Sequence, residues 1–85
     1  MELTVDVEEL RTIVARSLEL EPEEVGDGDH FAEDLEMDSL MVLEISSQLE
    51  QRYAVPVQDT SIGSVQNLTE LRALVESLLA EESSA

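Results

Sequence analysis

Apolar residues recur at helical spacing in three stretches of the chain. The first stretch runs from Val7 to Leu18, and its apolar positions are typical of one buried face of a helix. Asp6 precedes it as an N-cap, and Glu9 three residues later fits a capping box. Pro22 disfavours helical backbone just before itself, so the first helix is expected to end near Leu20.

A second helical stretch begins at Asp38 or Ser39 and ends before Pro56. Its inward face is predicted from four positions at helical spacing: Leu40, Leu43, Leu49 and Tyr53. Met37 and Met41 either fill gaps in the core or face a partner protein. Because Leu40 and Leu43 are assigned to the inward face, Met41 is expected on the outside.

The remaining pattern completes a small helical domain. A short helical turn is expected from Asp59 to Gly63 with Ile62 pointing inward, and a last helix from Val65 with Ser64 as its cap. Residues 81–85 form a polar tail that we expect to fray. Residues 1–85 are therefore predicted to form one all-α domain of three longer helices and a short third helix.

Residues 19–38, between the first two long helices, form a segment of a different kind. They contain ten acids and no Lys or Arg, together with Pro22 and two glycines. A disordered linker is one interpretation of this composition. Four separated apolar residues favour a long ordered loop pinned to the core: Leu20, Val25, Phe31 and Leu35. Long loops inside small domains are often functional.

The net charge narrows the possible functions. The 85 residues include 21 acids, four arginines and no lysine, which gives a formal charge of −17. Nucleic acids and anionic membrane surfaces would repel such a chain. No apolar run is long enough to span a bilayer, and the N-terminus lacks the pattern of a signal peptide. The absence of cysteine is compatible with a reducing cytoplasm, where we expect the protein.

Two other kinds of site are suggested by parts of the sequence, a calcium-binding loop and a serine–histidine pair. Asp27, Asp29 and Asp38 fit positions 1, 3 and 12 of a calcium-binding EF-hand loop, but Phe31 and Ala32 occupy positions that need an oxygen ligand and a glycine. His30 could act as a base for Ser39, although nothing in the sequence fixes their geometry or supplies an oxyanion site. We therefore predict neither a metal site nor catalysis.

Ser39 is the most informative single position. A serine at a helix start is usually an N-cap, but Asp38 immediately before it caps equally well. With Asp38 as the cap, the Ser39 hydroxyl lies exposed in the first helical turn. A phosphate ester there would sit at the positive end of the helix dipole, among free backbone N–H groups.

The residues around Ser39 resemble a known motif. The run from Phe31 to Leu40, FAEDLEMDSL, resembles the phosphopantetheine-attachment motif of acyl carrier proteins, approximately F-x-x-D-L-G-x-D-S-L. Glu44 and the YAVPV segment from Tyr53 to Val57 continue the likeness, which extends over about residues 6 to 80. Glu36 departs from the motif, because it stands where the family usually has glycine.

The resemblance implies a four-helix bundle in which Ser39 carries 4'-phosphopantetheine donated by coenzyme A. The arm would bring the thiol that the cysteine-free chain lacks. The implied partners are a phosphopantetheinyl transferase, an acyltransferase or acyl/aminoacyl ligase, and a ketosynthase with a basic docking patch. We expect docking through five residues: Asp38, Leu40, Met41, Glu44 and Ile62.

The pathway stays open at this point. The second helix is less acidic than expected for a fatty-acid carrier, which favours a free-standing, monomeric carrier of polyketide or related secondary-metabolite synthesis. A fatty-acid carrier and an aminoacyl or peptidyl carrier are the alternatives, although the L-G-G motif of peptidyl carriers is absent. An unmodified acidic adaptor for a basic protein is the alternative outside this family.

Overall fold

The computed structural model describes residues 5–84, except for the side chains of residues 59, 60 and 82–84. Within these residues the chain forms four helices and no strand: α1 (Val7–Ser17), α2 (Ser39–Tyr53), α3 (Asp59–Ser64) and α4 (Leu68–Ser84). The predicted all-α bundle with a short third helix is confirmed. A single 3-10 turn at Pro22–Glu24, which the sequence pattern did not predict, interrupts the loop between α1 and α2.

Polar contacts at its N-terminal end fix helix α1. Asp6 is the N-cap, and its Oδ1 accepts the N–H of Glu8 at 2.9 Å. Glu9 does not complete the predicted capping box. Its carboxylate instead accepts the Nε–H of Arg52 on α2 at 2.6 Å. The acid that was predicted to stabilise one helix end therefore joins two helices.

The core is aliphatic apart from one aromatic ring, as the composition requires. Each long helix contributes fully buried residues to it: Leu10 and Val14 from α1, Ile45 and Leu49 from α2, and Leu71 and Val75 from α4. The acidic loop adds Val25 and Phe31, which are 1% and 2% exposed, while Leu20 and Leu35 pack partly buried against the core. The prediction of a long ordered loop pinned to the core is therefore confirmed, and the alternative of a disordered linker is wrong.

The predicted inward face of α2 was wrong in its first turns. Leu40 and Leu43 are 75% and 50% exposed, whereas Met41 packs partly buried against the core. The loop before α2 contributes to this choice, because Phe31 and Met37 line a cleft together with Val42, the neighbour of Met41. Leucines at 40 and 43 are thereby left on the surface.

Helix α4 also differs from the prediction at both ends. It begins at Leu68 rather than Val65, with Asn67 rather than Ser64 as its cap, since Asn67 Oδ1 accepts the N–H of Glu70 at 2.9 Å. The segment before it stays extended because the carbonyl of Gln66 accepts the N–H of Phe31 at 2.8 Å. At the other end the helix continues through residue 84, so residues 81–84 are helical rather than a frayed tail, and residue 85 lies outside the described residues.

The part of the chain that the structure describes contains no helix long and apolar enough to cross a membrane.

Candidate functional site

Ser39 is the first residue of α2, and Asp38 is its N-cap. The Oδ1 atom of Asp38 accepts the N–H of Met41 at 3.0 Å, so the aspartate fills the capping role. Ser39 is exposed, and its hydroxyl makes no hydrogen bond to any residue that the structure describes. The division of roles predicted from the sequence, with Asp38 as cap and Ser39 exposed, is confirmed.

The start of α2 offers a favourable place for an anion. The backbone N–H groups of Ser39 and Leu40 have no acceptor among residues 5–84, and the first turn of this helix contains no acidic residue. Unpaired N–H groups and the helix dipole both favour negative charge at a helix start. An exposed hydroxyl in this position fits a phosphodiester such as that of 4'-phosphopantetheine, and Ser39 would hold it.

The loop before Ser39 is positioned by backbone hydrogen bonds. Phe31 donates its N–H to Gln66 and accepts the N–H of Met37 at 2.9 Å, which closes the loop back on its own anchor. Asp34 Oδ2 accepts the N–H of His30 at 2.7 Å. These hydrogen bonds fix the path of the chain into the first turn of α2, and the buried ring of Phe31 anchors that path in the core.

Arg11 of α1 holds the other half of the same loop. Its guanidinium donates to the carbonyl of Val25 and to Asp27 in the loop, and to Glu8 on its own helix. The hydrogen bonds that Arg11 donates to Glu8 and then to Asp27 hold its pKa above the ordinary value. A segment with ten acids and no Lys or Arg is thus fastened by a cation from outside it.

A cleft of about 200 Å³ lies beside the candidate site, between the loop, α2 and α3. Its apolar lining includes Phe31, Met37, Val42 and Ile62. Ile62 points inward, as predicted, and is only 1% exposed. Its side chain therefore offers no surface for docking, and the docking surface expected from the sequence loses this residue.

The other predicted docking residues lie in the first turns of α2 and just before them. Asp38, Leu40 and Glu44 are exposed, whereas Met41 is half-buried. Glu44 accepts a hydrogen bond from Gln48 at 2.9 Å. Sequence reasoning missed Leu43, which is half exposed and one turn from Leu40, because the helical pattern assigned it to the core.

The carboxylates of the calcium pattern are engaged separately. Asp27 pairs with Arg11, Asp29 accepts the N–H of Gly26 at 2.9 Å, and Asp38 caps α2. No group of three or more metal-ligating side chains occurs among the described residues. His30 Nδ1 accepts the N–H of Glu33 at 3.2 Å, and within residues 5–84 no hydrogen bond links it to Ser39.

Comparison with known proteins identifies the family. The family model described as "Phosphopantetheine attachment site" matches residues 8–80. The chain is 40% identical over 77 residues to polyketide-8 synthase acyl carrier protein 2 of Streptomyces avermitilis, covering 91% of this chain and 88% of that protein. The chain belongs to the acyl carrier protein family. It is also 34% identical to the acyl carrier protein of Rhodococcus erythropolis, over 93% of this chain and 87% of that protein.

Solved structures of acyl carrier proteins share the fold. The solution structure of the 3,5-dioxohexyl carrier from the actinorhodin polyketide synthase of Streptomyces coelicolor has a TM-score of 0.78 and 32% identity, covering 95% of this chain and 98% of that one. The 3-oxo-butyl form of that carrier has a TM-score of 0.74 over the same shares of both chains. As an acyl carrier protein, this chain tethers acyl groups on a 4'-phosphopantetheine arm and presents them to partner enzymes. When bound, the arm supplies the thiol that holds the acyl group as a thioester.

Proposed function

We propose that Ser39 is the residue that carries the 4'-phosphopantetheine arm. The observation that supports this most is the exposed, unpartnered Ser39 hydroxyl in a first helical turn already capped by Asp38, within a match to the attachment family over residues 8–80. In the attachment reaction the serine oxygen bonds to the phosphorus next to pantetheine. The anhydride bond of coenzyme A breaks, adenosine bisphosphate leaves, and the hydroxyl proton passes to a base of the transferase.

The proposal includes a docking surface around this serine. Four exposed residues combine apolar area with negative charge at the start of α2: its cap Asp38, and Leu40, Leu43 and Glu44 in its first turns. Met41 contributes the part of its side chain that the core leaves uncovered. Negative charge favours rapid encounter with a basic enzyme patch, and the exposed leucines add contacts that a purely electrostatic surface lacks.

The pathway we propose is polyketide synthesis. Two observations support it: the similarity to a polyketide synthase carrier of Streptomyces avermitilis and the structural likeness to the actinorhodin carrier. The partners would be a phosphopantetheinyl transferase, an acyltransferase and a ketosynthase, with this chain as their cytoplasmic, monomeric substrate and not as a catalyst. Tethering turns each encounter between acyl group and enzyme into an effectively intramolecular one.

The test is enzymatic loading followed by mass spectrometry. The chain is incubated with coenzyme A and a broad-specificity phosphopantetheinyl transferase, and we expect the mass of one 4'-phosphopantetheine group to be added. Ser39→Ala should abolish the addition, whereas Ser47→Ala, at an exposed serine of the same helix, should not affect it. Circular dichroism should show that both variants fold, because Asp38 keeps the helix cap. Modification that survives Ser39→Ala would contradict the proposal.

A further inference from the structure

Glu36 combines an unusual backbone conformation with a position close to Ser39. Its φ angle is 55°, in the left-handed region that residues with a Cβ rarely adopt. Glycine adopts this region readily, which explains physically why glycine suits this place in the attachment motif. The glycines of the described chain have no positive φ, so the chain does not use them for left-handed turns. A glutamate held in this conformation three residues before Ser39 points to a role for its side chain.

The carboxylate of Glu36 is also uncommitted, unlike the other acids closest to Ser39. Asp34 accepts the N–H of His30, Asp38 accepts the N–H of Met41, and Glu44 accepts the amide of Gln48. Glu36 is exposed, and its carboxylate takes part in no hydrogen bond or ion pair with the residues that the structure describes. It is therefore available to a cation from outside the chain.

Any enzyme that acts on Ser39 must come close to Glu36. The two residues are three positions apart, and three residues of extended chain span at most about 11 Å. An exposed carboxylate within that distance lies inside the footprint of a standard protein interface, which covers about 800 Å² on each partner. The phosphopantetheinyl transferase is the partner that must reach the Ser39 oxygen itself.

We propose that Glu36 determines how well the transferase recognises this carrier. Its carboxylate pairs with a Lys or Arg side chain at the rim of the transferase active site, and the left-handed turn aims it there. This inference rests on the proposed function, because it assumes that Ser39 is the modified residue. It assigns the role to the charge of Glu36 and not to the shape of the turn.

Glu19 provides a matched comparison for the backbone. It is also a glutamate with a left-handed φ, 59°, and it closes the C-terminal end of α1, where the N–H of Leu20 reaches the carbonyl of Ala15 at 2.8 Å. That geometry is a common helix ending and explains its conformation fully. Substitutions at Glu19 therefore reproduce the change in charge and in backbone strain without the proximity to Ser39.

The experiment measures loading kinetics of four variants with coenzyme A and the same transferase: Glu36→Gln, Glu36→Gly, Glu19→Gln and Glu19→Gly. Both Glu36 variants should lower kcat/KM by about two- to fivefold through KM, the size expected for an exposed ion pair. The loss should shrink at high salt, which screens such a pair. The Glu19 variants should load like the parent chain, and both glycine variants should have a Tm at least equal to that of the parent.

The outcomes separate this inference from the proposed function. Failure to load the parent chain would overturn the proposed function and this inference with it. A parent chain that loads, together with a Glu36→Gln variant that loads at the same rate, would overturn only the inference. A loss confined to Glu36→Gly would also overturn it, because it would assign the effect to the turn and not to the carboxylate.

Discussion

Replacing Arg11 with methionine should release the acidic loop from helix α1 and lower the stability of the whole domain. The guanidinium is held among Glu8, Asp27 and the carbonyl of Val25, and its side chain is only 15% exposed. Methionine keeps the apolar stem of the side chain but removes all of these donors. The substitution therefore tests the polar clamp and not the packing.

The expected loss follows from the surroundings of each contact. Glu8 and Asp27 are 67% and 62% exposed, so each ion pair contributes about 0.2–1 kcal/mol. The bond to the carbonyl of Val25 has a charged donor and is partly buried, and its loss costs about 1.5–3 kcal/mol. The total is about 2–5 kcal/mol, which for a domain of this size lowers Tm by about 10 °C or more.

Urea unfolding followed by circular dichroism measures this difference, and Arg72→Met is the control. Arg72 also pairs with a glutamate, Glu76, at 3.2 Å, but both residues are half-buried on α4, and Arg72 has no hydrogen bond or ion pair to the part of the loop that the structure describes. Its loss should cost about 0.3–0.5 kcal/mol. If Arg11→Met costs no more than Arg72→Met, the account of the loop as clamped by Arg11 is wrong.

Three further predictions concern the core, the pH dependence and the docking surface. The Tyr53 hydroxyl is buried without a hydrogen-bond partner among the described residues, and burial raises its pKa, so Tyr53→Phe should raise stability by up to about 1 kcal/mol in urea unfolding. The hydrogen bond from the N–H of Val5 lowers the pKa of Glu76, so the stability that it adds is present at neutral pH and lost as the pH falls through the lowered pKa. In urea unfolding, the Glu76→Gln variant should therefore be less stable than the parent at neutral pH, and the two stabilities should converge in acid. Leu40→Ser should change stability by less than about 0.5 kcal/mol, and Glu44→Arg should leave the fold intact. Both variants should nevertheless slow acyl transfer to a ketosynthase. Unchanged transfer rates would show that these residues do not belong to the docking surface.

The sequence pattern predicted the helices well because long amphipathic runs and their caps are local signals. It could not choose the buried face at the start of α2, since four consecutive residues from Leu40 to Leu43 are all apolar. Tertiary packing made that choice, because Phe31 and Met37 line a cleft with Val42 and Met41 packs partly buried against the core. The pattern of apolar residues within a helix does not show which of its faces a residue from a distant loop will cover.

The start of α4 shows the same limit. Ser64 and Asn67 are both good caps, so sequence rules alone do not rank them. The choice depends on Phe31, which donates its N–H to the carbonyl of Gln66. This hydrogen bond keeps Gln66, just before Asn67, out of the helix. Residue propensities also could not predict the left-handed backbone at Glu36, because glutamate rarely adopts it. The only sequence signal was that Glu36 stands where the attachment motif usually has glycine.

The roles of Asp38 and Ser39 were easier to predict from the sequence than the residues that form the surface around them. Asp38 as the cap and Ser39 as an exposed residue follow from adjacent positions in the sequence, and the structure has both. Docking residues depend on exposure: Leu43 was assigned to the core but is half exposed, whereas Ile62 was expected to dock although its predicted inward position leaves it buried. Charge alone did not reveal this, because most of the acids lie in the loop and not on α2.

The central claim is that Ser39 carries the arm that makes this chain a carrier. The most direct measurement is mass spectrometry of the protein isolated from its native host, with fragmentation of the peptide that contains residues 31–44. The account predicts that Ser39, and no other serine, bears 4'-phosphopantetheine, with an acyl group on the thiol in part of the population. An unmodified Ser39 in protein from an actively producing culture, or the arm on a different residue, would contradict it.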